Sequence, residues 1–251
     1  MVLPVHDDNP TRKPGYLTWL LIAINVVVFV ASPLAVHFVG DTSTKQRCQT
    51  VAYFDHYAAV PDELVHNHVP RTTVVYEDGG CRTTAVPFHK RPFVSVLTAM
   101  FLHGSWLHLL GNMLFLFVFG NNVEDRLGRI RYLLFYLGIG VAATYGFTLV
   151  QPSATTPIVG ASGAIAGVLG GYIVLYPRAK VLSLLTFFFF IPIKLPAWLV
   201  LGSWFVLQWL SLRANQAGSG SGVAYLAHVI GFILGAGICW QIRKPLPQGS
   251  P

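Results

Sequence analysis

The chain has 251 residues, 53% of them hydrophobic and only 11% charged, with a formal net charge of +7. That length fits one domain, and that composition lies outside the soluble globular range. Lys and Arg fall in short connections between apolar runs instead of one stripe, so the charge points to the anionic face of a lipid bilayer and argues against a nucleic-acid partner.

Apolar stretches of about 20 residues, enough to cross a hydrocarbon core of about 30 Å, predict an all-α polytopic membrane protein, a bundle of six transmembrane helices. In chain order they cover 16–39, 105–120, 132–150, 157–176, 196–212 and 222–242. The first follows Arg12 and Lys13 as a signal peptide would, but it is too long for an h-region and reads as a retained helix. The second is short for a bilayer, so its outer end is expected below the surface. An even number of spans puts both termini on one side. Arg12 and Lys13, then Arg126, Arg129 and Arg131, then Arg178, Lys180 and Lys194, then Arg243 and Lys244 all share that side, which the positive-inside rule makes cytoplasmic. Residues 1–15 and 243–251 then form cytoplasmic tails, 40–93 an extracytoplasmic insertion and 94–242 the helical core of a single domain.

The insertion is too long to be structureless in a compact protein, and its apolar end, 93–102, suits the membrane interface. Cys48 and Cys81 fall on the oxidising side, where a disulfide is allowed but not required. Cys239 reads as packed in a helix, and no cysteine has CxxC or zinc-ligand spacing. His56, His66, His68, His89 and His103 invite a metal reading, but solvated loop histidines are expected and no metal. The run 186–192, Thr-Phe-Phe-Phe-Phe-Ile-Pro, reads as an interfacial hairpin, not a seventh span.

Topology then acts on the polar residues inside the spans. The second, fourth and sixth helices run the same way, with their N-termini together at the outer face. Ser162 stands about five residues into its helix, His228 about six, and His108 and Asn112 three and seven, so all lie within roughly the first 10 Å. Gly163, Gly167 and Gly171 form one ridge, and Gly231 and Gly235 follow His228 at i+3 and i+7, so the fourth and sixth helices can meet at backbone distance. That approach brings Ser162 within reach of His228. A serine hydroxyl becomes a nucleophile when a base takes its proton, and a histidine suits that work at neutral pH. His108 and Asn112, at i and i+4, can donate hydrogen bonds from one face and make an oxyanion hole with the Ser162 backbone N–H. No Asp or Glu falls in the outer half of any span, which leaves a Ser–His dyad.

These residues resemble a known family. Gly160-Ala161-Ser162-Gly163 opening the fourth helix, His103-Gly-Ser-Trp-Leu-His108-Leu-Leu-Gly-Asn112 in the second, Val123-Glu-Asp-Arg-Leu-Gly128 after it, and Ala227-His228-Val-Ile-Gly231-Phe-Ile-Leu-Gly235 in the sixth together look like a rhomboid intramembrane serine protease. The resemblance covers the chain from about residue 93 onward. It implies Ser162 as nucleophile, His228 as general base and acid, His108 and Asn112 as oxyanion stabilisers, Gly160 in the serine-bearing turn and His103 near the site. It also implies transmembrane protein substrates, no cofactor and a multi-pass location with the site facing outward, here expected in a bacterial cell membrane. Some members place a Tyr four residues after the serine, where this chain has Ala166, and the Trp-Arg pair of their first outer loop is absent. Glu124 and Asp125 are expected to partner nearby arginines. By the same resemblance the aromatic fifth helix, with Trp198, Trp204, Phe205 and Trp209, is a candidate gate, against an interfacial belt for Trp198 and Trp209. The rival readings are a non-catalytic rhomboid-like binder of membrane proteins and a small transporter. The sequence leaves the oligomeric state open.

Overall fold

A computed structural model describes residues 2–36, 43–85, 89–185, 191–216 and 224–243. It is mostly helical, and three helices are long and apolar enough to cross a membrane: α5 (Trp106–Leu127), α6 (Arg129–Val150) and α9 (Tyr225–Ile242). Two shorter apolar helices, α1 (Tyr16–Val30) and α7 (Ser162–Leu175), pack among them, with α8 (Ala197–Gln216) alongside. Large apolar side chains face outward, among them Leu107, Ile130, Leu149 and Val27 at 66–82% exposure. A soluble protein would bury such residues; a lipid-facing surface requires them.

The helix limits correct several expectations. α5 has 22 residues and is not a short span, because its polar end, Asn121 to Leu127, continues the helix. Gly128 stops it with φ +78°, a value that L side chains rarely adopt, and the next residue starts α6. α7 begins at Ser162, not at 157. The apolar 157–160 stretch is extended instead, because Ile158 N–H donates to Ala59 O at 2.7 Å and Gly160 N–H to Ala99 O at 2.9 Å.

α7 is the hub: its nine residues from Ala164 to Tyr172 are all buried. α9 lies against it backbone to backbone. A Cβ on Gly231 would meet Gly163 O at 2.1 Å, and one on Gly235 would meet Gly167 O at 2.0 Å. The contact repeats four residues on in both helices in the same sense, so α7 and α9 run parallel. Their N-termini are therefore together, as the site needs.

The fold is not all-α. At the end of the bundle away from Ser162, β1 (Val2–Asp7), β4 (Lys180–Leu185) and β5 (Ile191–Pro196) form an antiparallel sheet in the order β1-β4-β5. The expected hairpin is thus framed by β4 and β5, though 186–190 lie outside the described residues. The N-terminal stretch is no loose tail: the Asp7 carboxylate accepts hydrogen bonds from the Tyr172 hydroxyl and from Asn122 Nδ2, and Asn9 Nδ2 donates to Asn122 Oδ1. Glu124 and Asp125 contact backbone amides, not arginine side chains. Glu124 accepts from Leu17 N–H, Thr18 N–H and the Thr18 hydroxyl at 2.7–3.1 Å, capping the start of α1, and Asp125 accepts from Arg12 N–H at 2.9 Å.

At the Ser162 end, the insertion folds into α2 (Thr44–Tyr57), α3 (Pro61–His66) and a hairpin of β2 (Thr72–Glu77) and β3 (Gly80–Ala85), followed by α4 (Pro92–Ala99). A Cys48–Cys81 disulfide joins α2 to β3. Lys90 and Glu63 make a buried ion pair at 2.6 Å. Ala59, Leu64, Val96 and Ala99 form a small core against Ile158. The insertion is thereby fixed to the segment that leads into Ser162. Among the described residues no cluster of His, Cys, Asp or Glu is arranged to hold a metal ion.

Candidate active site

Four sequence-predicted residues meet at the shared end of α5, α7 and α9. Ser162, the first residue of α7, has its Oγ 2.7 Å from His228 Nε2. His228 is the fourth residue of α9 and 9% exposed. Both stand just before the first backbone contact of their helices, Gly163 with Gly231, so the glycine register sets their approach.

α5 brings the other two. Ser105 caps it, accepting from His108 N–H at 3.1 Å, which fixes His108 in the first turn. His108 Nδ1 accepts from Gly104 N–H at 3.4 Å, so the ring proton belongs on Nε2. That Nε2 points to Gly160, where a Cβ would come within 2.9 Å of it and 3.6 Å of Ser162 Oγ. Gly160 leaves room by having no side chain, at a φ of +117°. One turn after His108, Asn112 is 8% exposed, and its Nδ2 has no hydrogen-bond partner among the described residues. His103 is 1% exposed and sets its ring edge-on to His108 with centroids 5.1 Å apart. His103 is a wall of the site, not a lining group.

Ser162, His228, His108 and Asn112 all line one cavity of about 600 Å³. No carboxylate lines it among the described residues. A serine hydroxyl bonded to an imidazole, beside an N–H at a helix start and two side-chain donors, has the parts of nucleophilic acyl transfer.

One lining residue was missed. Gln208 on α8 places Oε1 2.8 Å from His228 Nδ1. Trp204, one turn earlier, lies tilted beside the same imidazole with centroids 6.2 Å apart, and Tyr225 meets it edge-on at 6.2 Å. The available signal was a long polar side chain in an otherwise apolar, aromatic helix. Trp198 and Trp209 are exposed on that helix at 53% and 46%, whereas Trp204 and Phe205 turn inward onto Phe232. Ala166 is fully buried in α7, so the imidazole has no tyrosine ring from that position beside it.

Fold and site together define a helical membrane protein with a hydrogen-bonded serine and histidine beside a cavity at one end of its bundle. The comparisons with known proteins narrow this class: the family model described as Rhomboid domain matches residues 90–245, and the chain belongs to the rhomboid family. It is 31% identical over 163 residues to Rhomboid protein 1, mitochondrial, of Saccharomyces cerevisiae, covering 62% of this chain and 43% of that one. With Rhomboid-like protein 11, chloroplastic, of Arabidopsis thaliana it shares 32% over 178 residues, 65% of this chain and 57% of the other. Presenilin-associated rhomboid-like protein A, mitochondrial, of Danio rerio is 30% identical over 171 residues, 65% and 43% of the two chains. The chain thus spans about half the length of these relatives.

Proposed function

We propose that the chain is an intramembrane serine endopeptidase that hydrolyses peptide bonds in or near transmembrane segments of other membrane proteins. The observation that carries this reading is the 2.7 Å contact between Ser162 Oγ and His228 Nε2 beside a cavity. Ser162 Oγ attacks the scissile carbonyl carbon as His228 Nε2 takes its proton. The oxyanion that forms is held by Ser162 N–H, His108 Nε2–H and Asn112 Nδ2–H. His228 then gives the proton to the leaving amine, and a water activated by the same imidazole hydrolyses the acyl-enzyme.

The proposed topology has six spans, with both termini on the cytoplasmic side and the site near the opposite face. The disulfide on the site end supports that orientation, because such bonds persist in oxidising compartments. The relatives described above carry mitochondrial and chloroplastic names, which lends no support to a bacterial inner membrane.

The test is cleavage of a helical transmembrane substrate by purified protein in liposomes. Wild type is expected to cleave, and Ser162→Ala and His228→Ala to be inactive. Cleavage by Ser162→Ala at the wild-type rate sinks the proposal, and substrate binding without cleavage by wild type favours a non-catalytic binder.

A further inference from the structure

Gln208 stands where a polar side chain has no ordinary reason to be. Its neighbours on α8, Val206, Leu207, Trp209 and Leu210, are 45–56% exposed apolar residues on a face suited to lipid. A long amide in such a helix is costly unless its polar atoms are bonded. Gln208 turns inward, and the bond it makes is to His228 Nδ1 at 2.8 Å. Its position is fixed by its own helix: Trp204 and Phe205, one turn earlier, pack on Phe232 of α9 with centroids 6.2 and 4.7 Å away.

The direction of the bond follows from chemistry. If Nε2 accepts the Ser162 hydroxyl proton, Nδ1 carries the ring proton and donates it to Gln208 Oε1. The amide thereby selects the tautomer whose free lone pair faces the nucleophile, and it fixes the ring plane. A carboxylate does this work in three-membered serine sites, and none lines this cavity among the described residues. The titratable groups around the imidazole are His108 from α5 and Tyr225 on its own helix. Neither bonds Nδ1.

Resting on the protease reading above, we propose that Gln208 is the positioning residue of the Ser162–His228 pair, a neutral third member supplied by α8. Its bond is to Nδ1, not to the reacting Nε2 or to Ser162 Oγ, and it acts through the His228 ring.

The test compares wild type, Gln208→Met, Gln208→Glu and Ser162→Ala in liposomes, measuring kcat, KM and the rate at which a fluorophosphonate labels Ser162. Met keeps the length of the side chain and removes the acceptor. Gln208→Met is expected to lose about tenfold to a hundredfold in kcat with KM unchanged, in the range of misdirected general-base catalysis, and to label slower by a similar factor. Gln208→Glu restores an acceptor and is expected to recover most of both rates. Wild-type kcat and labelling in Gln208→Met, with Ser162→Ala inactive, overturn the positioning role alone. So does a Gln208→Glu protein no faster than Gln208→Met, since the acceptor is then not what matters. Cleavage by Ser162→Ala overturns the protease reading, and this inference with it.

Discussion

Gly235 and Gly167 touch so closely that a Cβ on Gly235 would lie 2.0 Å from the Gly167 carbonyl oxygen. Backbone stands in the way, so no rotamer change relieves the clash, and α7 and α9 would have to part. Gly235→Ala is expected to cost roughly 1–3 kcal/mol, as overpacked interiors do. It should also cut cleavage about a hundredfold, because an ångström of misplacement at a reacting pair has that effect. Gly237, with open space beside it, is the control, and Gly237→Ala should unfold no earlier than wild type and cleave at the wild-type rate.

The opposite end of the bundle depends on a buried carboxylate. Glu124 is 2% exposed and its two carboxylate oxygens accept from Leu17 N–H, Thr18 N–H and the Thr18 hydroxyl. Glu124→Ala leaves free donors at the start of α1, at an expected cost of about 2–4 kcal/mol. Glu124→Gln should cost nearly as much, because its NH2 would face a donor at one of the two positions. Thermal unfolding in detergent measures both; a Gln variant as stable as wild type would show that one acceptor suffices.

At the Ser162 end, the sequence carried some of the arrangement and not the rest. Ser162, His228, His108 and Asn112 were legible because glycine spacing and helix direction act locally, and a polar group in an apolar helix needs a reason. The start of α7 was misplaced because 157–160 is apolar enough for a span, while its extended shape depends on bonds to Ala59 and Ala99, far away in sequence. β1 was hidden for a similar reason: Val2 pairs with Leu185, and a short strand at the end of a chain does not announce a partner so distant. Gln208 was visible as a residue but not as a contact. Only the packing of Trp204 and Phe205 on Phe232 turns it toward His228.

The Cys48–Cys81 bond closes a loop with a sequence separation of 33. In the chain-entropy description its removal costs about 3–4 kcal/mol. The double variant Cys48→Ser with Cys81→Ser is expected to be nicked by protease within 43–85 under conditions that leave wild type intact. The bundle helices should survive. Equal resistance of the two proteins would mean that the Lys90–Glu63 pair and the core around Ala59 hold the insertion without the disulfide.

The docking of β1 should depend on pH. Asp7 is 7% exposed, and burial raises its pKa above the usual carboxylate value of 3.8 despite its hydrogen bonds to Tyr172 and Asn122. A raised folded value means that its contribution to docking is complete below 3.8 and is lost as pH rises through that folded value. Asp8 works the other way, since its hydrogen bond to Lys194 lowers its pKa, so its contribution is lost only as pH falls below 3.8. Above 3.8 Asp7 alone sets the trend between these two neighbours. Amide exchange in β1, corrected for intrinsic rates, should slow as pH falls toward 3.8, and Asp7→Asn should flatten the profile.

At Gly160 chemistry and folding separate. Its φ is +117°, and a Cβ there would press on His108 Cε1 and Nε2 at 2.9 Å. The strain of an L side chain in that region is about 1–3 kcal/mol, less than the roughly 5–15 kcal/mol by which folded proteins are stable. The clash itself falls on the proposed oxyanion donor, whose ring can be pushed aside. Gly160→Ala is therefore expected to fold, to keep the Ser162–His228 contact, and to lose about a hundredfold or more in kcat, the scale of removing one oxyanion donor. Fluorophosphonate labelling of Ser162 should fall in step, because phosphonylation also develops negative charge on oxygen. If cleavage falls while labelling stays at the wild-type rate, Gly160 acts on substrate entry and not on the His108 donor.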